Sequence, residues 1–214
     1  MPIEIHPFEP FLPDGARILF LGSFPPQPHR WCMPFYYPNW INDFWRIIGL
    51  IFHADKNHFC IPGEKRFDEA AIRTFCTREG LAFYDTACEI RRLKDNASDA
   101  FLEVVKPTDV LALLRQIPDC KCLVTTGEKA TRIIADTFGC EMPQVGGYLE
   151  LSVADLPKIR FWRMPSTSRA YPLPLEKKAD AYRRLWETNN SGPATGNSSA
   201  GDRRRGILPE QPGR

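Results

Sequence analysis

Residues 16–22 read Ala-Arg-Ile-Leu-Phe-Leu-Gly. An apolar run closed by glycine is the signature of a strand buried on both faces, as in parallel sheets. Three further stretches repeat it: residues 80–86 (Gly-Leu-Ala-Phe-Tyr-Asp-Thr), 121–127 (Lys-Cys-Leu-Val-Thr-Thr-Gly) and 158–164 (Lys-Ile-Arg-Phe-Trp-Arg-Met). Between them apolar residues recur at helical spacing. Residues 42–52 carry Phe44, Ile47, Ile48 and Ile51; 64–78 carry Phe67, Ala70, Ala71 and Phe75; 108–117 carry Val110, Leu111, Leu113 and Leu114. Residues 128–138 and 175–188 complete the helical set. Strand–helix alternation of this kind defines an α/β protein. The expectation is a three-layer α/β/α sandwich with a central, mainly parallel four-stranded sheet. A small hairpin is expected over 143–153, around Gly146-Gly147. Such sheets place their sites at the carboxyl ends of the strands. The segments to search therefore begin at Gly22, Asp85, Gly127 and Met164.

The chain has 214 residues, 43% of them hydrophobic, which is enough for one sizeable core. That domain is expected over residues 1–188. From Asn189 the sequence turns to Asn, Ser, Gly and Pro without apolar periodicity, so residues 189–214 read as a disordered tail. The apolar runs are too short and too broken by charge to span a bilayer, and Met1–His6 lacks the pattern of a signal peptide. The expected location is the cytoplasm of a bacterium or the nucleus of a eukaryote. The tail holds four arginines against two acids, so the remainder balances at 24 basic and 24 acidic residues. No whole-body basic field exists, and any nucleic-acid site must be a local patch. The seven cysteines are odd in number and form no CxxC pair, which points to free thiols in a reducing compartment. The four histidines show no metal spacing, and only His29 falls in a candidate site loop. Gly127-Glu128-Lys129-Ala130 lacks the glycine pattern of a nucleotide fold. No cofactor and no metal are expected.

The loop after the first strand is long. It runs Gly22-Ser23-Phe24-Pro25-Pro26-Gln27-Pro28-His29-Arg30-Trp31-Cys32-Met33-Pro34-Phe35-Tyr36-Tyr37-Pro38-Asn39-Trp40-Ile41-Asn42-Asp43-Phe44-Trp45. Its prolines lower the entropy lost on holding one shape. Its aromatics, at the end of a strand, can form a slot for a planar heterocycle. Tyr36 and Tyr37, ahead of the helix, are assigned to that slot; Phe44 and Trp45, on the helix, to the core.

Three pieces in order resemble the uracil-DNA glycosylase superfamily: Gly22-Ser23-Phe24-Pro25-Pro26, Phe35-Tyr36-Tyr37-Pro38-Asn39-x-x-Asn42-x-Phe44-Trp45, and Met164-Pro165-Ser166-Thr167-Ser168. Residues 80–85 and Thr126-Gly127-x-x-Ala130 fit the second strand and the third strand–helix turn of that family. The resemblance spans residues 15–188 and is nearest to the hypoxanthine-DNA glycosylase-like and mismatch-specific branches. It implies a monofunctional DNA glycosylase of base excision repair that hydrolyses the N-glycosidic bond of a flipped uracil or hypoxanthine. The implied partner is DNA with a deaminated or mismatched base, bound by a monomer and away from membranes. It implies Asn42 as the catalytic residue and Phe24, Tyr36, Tyr37 and Asn39 around the base. Ser23, Pro165, Ser166, Thr167, Ser168 and Arg169 are then the DNA contacts. The sequence departs from the family in two places. Phe24 stands where mismatch-specific members carry a water-positioning asparagine. Asn39-Trp40 replaces the usual His-Pro.

The chemistry of the residues is compatible with that implication. N-glycosidic cleavage passes through an oxocarbenium-like sugar and an anionic leaving base, so it needs a held water, donors to the base and a dry pocket. Asn42 can hold water through its oxygen and donate through its NH₂; equally, an asparagine at a first turn is a common helix cap. The Pro-Ser-Thr-Ser turn can clamp phosphate through hydroxyls and backbone N–H groups, or simply lead into the next helix. Arg169 can contact phosphate or fill the gap left by a flipped base. Asp85 either lines the site or makes a structural hydrogen bond. Neither motif contains lysine, so Schiff-base chemistry is not expected. Two other classes remain open at this level: a small-molecule hydrolase with Cys32 or Cys88 as nucleophile, and a catalytically inactive DNA-binding relative.

Overall fold

The structure, a computed structural model, describes residues 2–93, 101–153 and 155–190. Its centre is β2 (Ile18–Gly22), every residue of which is buried. β3 (Leu81–Asp85) and β6 (Cys122–Thr126) flank it in parallel, and both are also buried throughout. β8 (Ile159–Met164) continues the sheet in parallel beside β6. β7 (Gly147–Leu151) closes it antiparallel to β8, giving the order β3-β2-β6-β8-β7. The sheet thus has five strands rather than the expected four. The stretch read as a separate hairpin turns at Gly146 and docks on the edge, where Tyr148 packs on Trp162 at 4.5 Å between ring centroids.

The helices are α1 (Phe44–His53), α2 (Glu69–Glu79), α3 (Val110–Gln116), α4 (Glu128–Phe138) and α5 (Leu175–Asn190), and they flank the sheet as an α/β fold requires. α2 begins at Glu69, not at residue 64. Asp68 accepts a hydrogen bond from the Ala71 N–H at 3.0 Å and caps the helix there. The preceding Phe67 is tied to Cys60 by an isolated bridge, which keeps 64–67 out of the helix.

A second sheet was not legible in the sequence. β1 (Ile3–Ile5), β4 (Ala87–Arg92) and β5 (Leu102–Pro107) pair antiparallel in the order β1-β4-β5. Ala87, Ile90 and Leu102 form its small core, against which Phe24 and Val104 pack. The main core is aromatic: Phe20 stacks on Phe83 at 5.4 Å, and Phe44 meets Phe20 edge-on at 5.3 Å. Truncating a ring so placed costs about 3–5 kcal/mol, which is why this region is a firm base for the loops above it.

The chain divides into two compact units between Arg184 and Leu185. The first carries both sheets and everything described below. The tail expected over 189–214 lies outside the described residues, except that Asn189 and Asn190 belong to α5. Among the described residues no helix is long and apolar enough to cross a membrane.

Candidate active site

Strand register brings four ends to one edge. Gly22 pairs with Asp85, and Thr126 pairs with Met164. A cleft of about 610 Å³ opens there, at the carboxyl edge of the parallel strands. Loop 23–43 forms one wall, and the turn after β8 forms another.

Tyr37 is the centre of the first wall. Its φ of 52° is left-handed, a rare and strained conformation for an aromatic residue. Its surroundings hold it there. The ring lies on Phe44 at 3.9 Å between centroids and 4° between planes. The hydroxyl is 2.9 Å from Thr126 Oγ1. Tyr37 lines the cleft and Phe44, behind it, does not, so the stack presents a flat platform. Tyr36, expected beside it in the slot, also lines the cleft, from a position nearly all buried in the core. It is 3% exposed, stacks near Phe83, and donates its hydroxyl to the Glu9 carbonyl at 2.8 Å. Burial drives its phenol pKa far upward. Phe24 lines the cleft while resting on the core of the second sheet, and Ser23 lines it beside Gly22.

Asn39 and Asn42 form one tight turn on the rim. The Asn42 N–H donates to the Asn39 carbonyl at 2.8 Å, and Asn39 Oδ1 accepts from the Ile41 N–H at 3.1 Å. Asn42 Oδ1 accepts from the Phe44 N–H at 2.9 Å, doing the capping that the Asp43 side chain does not. One lone pair of the Asn42 oxygen is therefore occupied, and its NH₂ has no hydrogen-bond partner among the described residues. Both Asn39 and Asn42 line the cleft.

On the opposite wall, Ser166, Thr167, Ser168 and Arg169 line the cleft; Pro165 does not, and is buried. The Pro165 carbonyl accepts from the Tyr182 hydroxyl at 2.8 Å, and the Thr167 carbonyl accepts from the Asp43 N–H at 2.9 Å. Pro165 and Thr167 thus fix the turn, while Ser166, Ser168 and Arg169 carry its accessible polar atoms. Gly127, with φ of 105°, adopts a backbone conformation that side-chain-bearing residues rarely take, at the start of α4 beside Ser166.

A buried strut joins the two walls. Lys178, 1% exposed, donates to Asp43 Oδ2 at 2.9 Å and to the Ser168 carbonyl at 2.8 Å. Arg169 meets the other Asp43 oxygen at 3.3 Å. Sequence reading missed this pair, because a lysine on an amphipathic helix is ordinarily solvated. It also missed Arg30 and Arg92, which with Arg169 make the cleft lining basic. Arg92 is held by Glu4 at 3.0 Å and by the Pro25 carbonyl at 3.2 Å. His29, the one histidine placed in a site loop, is exposed on the short 28–30 turn and off the cleft; His6 is the histidine that matters, through Asp85.

Neither Cys32 nor Cys88 lines the cleft. Burial raises the Cys32 thiol pKa, and Cys88 Sγ lies 3.5 Å from Thr108 Oγ1 and 3.8 Å from the Tyr84 hydroxyl. Neither of the two candidate cysteine nucleophiles is therefore placed to act in this cleft.

No protein-family model matches the chain, and no curated protein matches it. Solved structures do. The solution NMR structure of a candidate uracil DNA glycosylase from Methanosarcina acetivorans is similar, with a TM-score of 0.58 and 19% identity, over 87% of this chain and 99% of that one. The class that fold and cleft define is therefore an α/β protein of uracil-DNA-glycosylase-like fold. At this identity the likeness is one of fold, and the chemistry has to be argued from the cleft.

Proposed function

We propose that the chain is a monofunctional DNA glycosylase that hydrolyses the N-glycosidic bond of a flipped, deaminated base, uracil or hypoxanthine. The observation that carries this reading is the Tyr37–Phe44 platform facing a serine-rich turn across a cleft at the strand ends. A planar base fits on the platform. The hydroxyls and N–H groups of Ser166 and Ser168, with Arg169, suit the phosphates on either side of a flipped nucleotide. The fold of the M. acetivorans protein supports the same reading.

The chemistry follows from the rim. The sugar becomes an oxocarbenium-like cation, so the attacking water needs a holder more than a strong base. Asn42 Oδ1 keeps one lone pair beyond its bond to Phe44 and can hold that water, while its NH₂ donates to the departing base. Capping and catalysis share one side chain, each using a different part of it. Chemistry on the deaminated base and passage through an abasic product place the protein in base excision repair. In this reading the protein acts as a monomer on DNA carrying a deaminated or mismatched base.

The test is single-turnover base release from oligonucleotides carrying uracil, hypoxanthine, xanthine or thymine mispairs, scored as abasic sites. The expected result is release of uracil or hypoxanthine without strand cleavage by the protein. Duplex binding that weakens with salt but yields no abasic site would leave only the inactive-relative reading.

A further inference from the structure

Arg46 is a buried cation in a place that charge alone disfavours. It stands in the first turn of α1, is 7% exposed and does not line the cleft. The amino end of a helix repels a positive side chain, and among the described residues no carboxylate forms an ion pair with it. Burial pulls its pKa below the ordinary guanidinium value. Its contacts show what the charge is used for. Nη1 donates to the Trp40 carbonyl at 2.8 Å and to the Asn42 carbonyl at 3.2 Å. One nitrogen with two hydrogens thus serves both carbonyls. The guanidinium carbon lies 4.3 Å from the centroid of the Trp40 ring and 5.1 Å from that of Phe67. Phe67 is 1% exposed and bridged to Cys60, so it is a fixed support. Asn42 is consequently held at three points. Its N–H is on the Asn39 carbonyl at 2.8 Å, its Oδ1 on the Phe44 N–H at 2.9 Å, and its carbonyl on Arg46. The first two bonds lie within the turn and the helix start. The third ties the turn to the core beneath it.

We propose that Arg46 is a positioning residue for base release, acting through Asn42. This deepens the glycosylase reading and rests on it. The Trp40 and Asn42 carbonyls belong to the two peptide groups that bracket Ile41 and Asn42. Fixing both peptide planes fixes the backbone from which the Asn42 side chain projects. The direction of its NH₂ and of its remaining lone pair is set with it. Without Arg46 the bond from Oδ1 to Phe44 can persist, so the helix stays capped while the turn behind Asn42 loosens. A misplacement of about 1 Å at a reacting group costs about 100-fold in rate. Arg46 reaches neither base nor DNA through the cleft, so its loss should fall on the chemical step and not on binding.

A double-mutant cycle in single-turnover base release from uracil and hypoxanthine oligonucleotides tests this. At saturating enzyme, Arg46→Met should slow release by about 10- to 100-fold. The enzyme concentration giving half the maximal rate should stay as in the wild type. In the Asn42→Ala background the same substitution should cost nothing further, because the group that Arg46 positions is gone. An arginine with a merely structural role would cost the same in both backgrounds. Thermal melts check that each variant is folded. Should Arg46→Met not fold, Arg46→Lys carries the same cycle. Its ammonium keeps the charge and lacks the planar face for Trp40, and the loss expected is about 10-fold, the lower value for a bond to a charged group. Wild-type rates in the folded Arg46 variants, or a loss that persists in full with Asn42→Ala, overturn the proposal and leave the glycosylase reading standing. A wild type that releases neither uracil nor hypoxanthine overturns both.

Discussion

Asp43 and Asp85 are equally hidden, each 7% exposed, and their surroundings give them opposite uses. Asp43 has a cation on each oxygen, Lys178 at 2.9 Å and Arg169 at 3.3 Å, and its own N–H ties down the turn after β8. The Asp85 carboxylate has one partner among the described residues, His6, and its second oxygen lies against the bare backbone of Gly22 at the cleft. A carboxylate with both oxygens occupied can only hold structure. One with an oxygen left over can recognise something. Changes around Asp43 should therefore appear first in stability, and changes around Asp85 and Tyr37 first in base binding and release.

The largest effect expected on the structural side is at Lys178. Lys178→Met leaves Asp43 buried with only the half-exposed Arg169 as partner. Removing one member of a buried pair typically costs about 3–5 kcal/mol, to be read from urea unfolding. A loss under about 1 kcal/mol, the size of an exposed pair, would break the comparison, because Arg169 alone would then suffice. On the recognition side, Tyr37→Ala should weaken base binding by about 1–3 kcal/mol, the value of one aromatic stacking platform. Competition by free uracil or hypoxanthine measures it. Tyr37→Phe keeps the stack on Phe44 and loses the bond to Thr126, about 0.5–1.5 kcal/mol, and the melt should carry most of that. Equal damage to binding from both variants would shift recognition from the ring to the hydroxyl.

The same contrast shows what a sequence exposes. β2, β3 and β6 were legible because strands buried on both faces are written as mostly apolar runs, and β8 because Ile159, Phe161, Trp162 and Met164 are buried around Arg160 and Arg163. β1, with three residues, and β4, with Glu89, Arg91 and Arg92 among its six, carry no such run. Their pairing comes from tertiary contact, so the second sheet stayed hidden. The platform was half legible: Tyr36 and Tyr37 are adjacent, alike in type and both on the cleft, yet Tyr36 is almost wholly buried among core rings while Tyr37 forms the platform on Phe44. Only the left-handed turn at Tyr37 separates them, and nothing in a tyrosine announces it. His6–Asp85 and Asp43–Lys178 join residues 79 and 135 positions apart, a distance over which periodicity and motif spacing carry no information. The Asn42 question came through as posed, cap or catalyst. The geometry shows the capping bond and leaves the NH₂ for chemistry.

The central claim, that this rim cleaves a glycosidic bond through Asn42, is tested most directly by single-turnover base release from Asn42→Ala, measured beside thermal melts. Loss of one preorganised donor should slow release by about 100- to 1000-fold, whereas loss of the cap should cost about 1 kcal/mol of stability. Asn42→Asp caps as well but cannot donate to the base, so it should restore the melt and not the rate. Asn39→Ala, which removes the neighbouring turn bond to Ile41, is the control and should remain active. Slow release by Asn42→Ala with Asn39→Ala active is the result the account predicts. Full activity per folded molecule in Asn42→Ala, or a dead Asn39→Ala beside it, would contradict it.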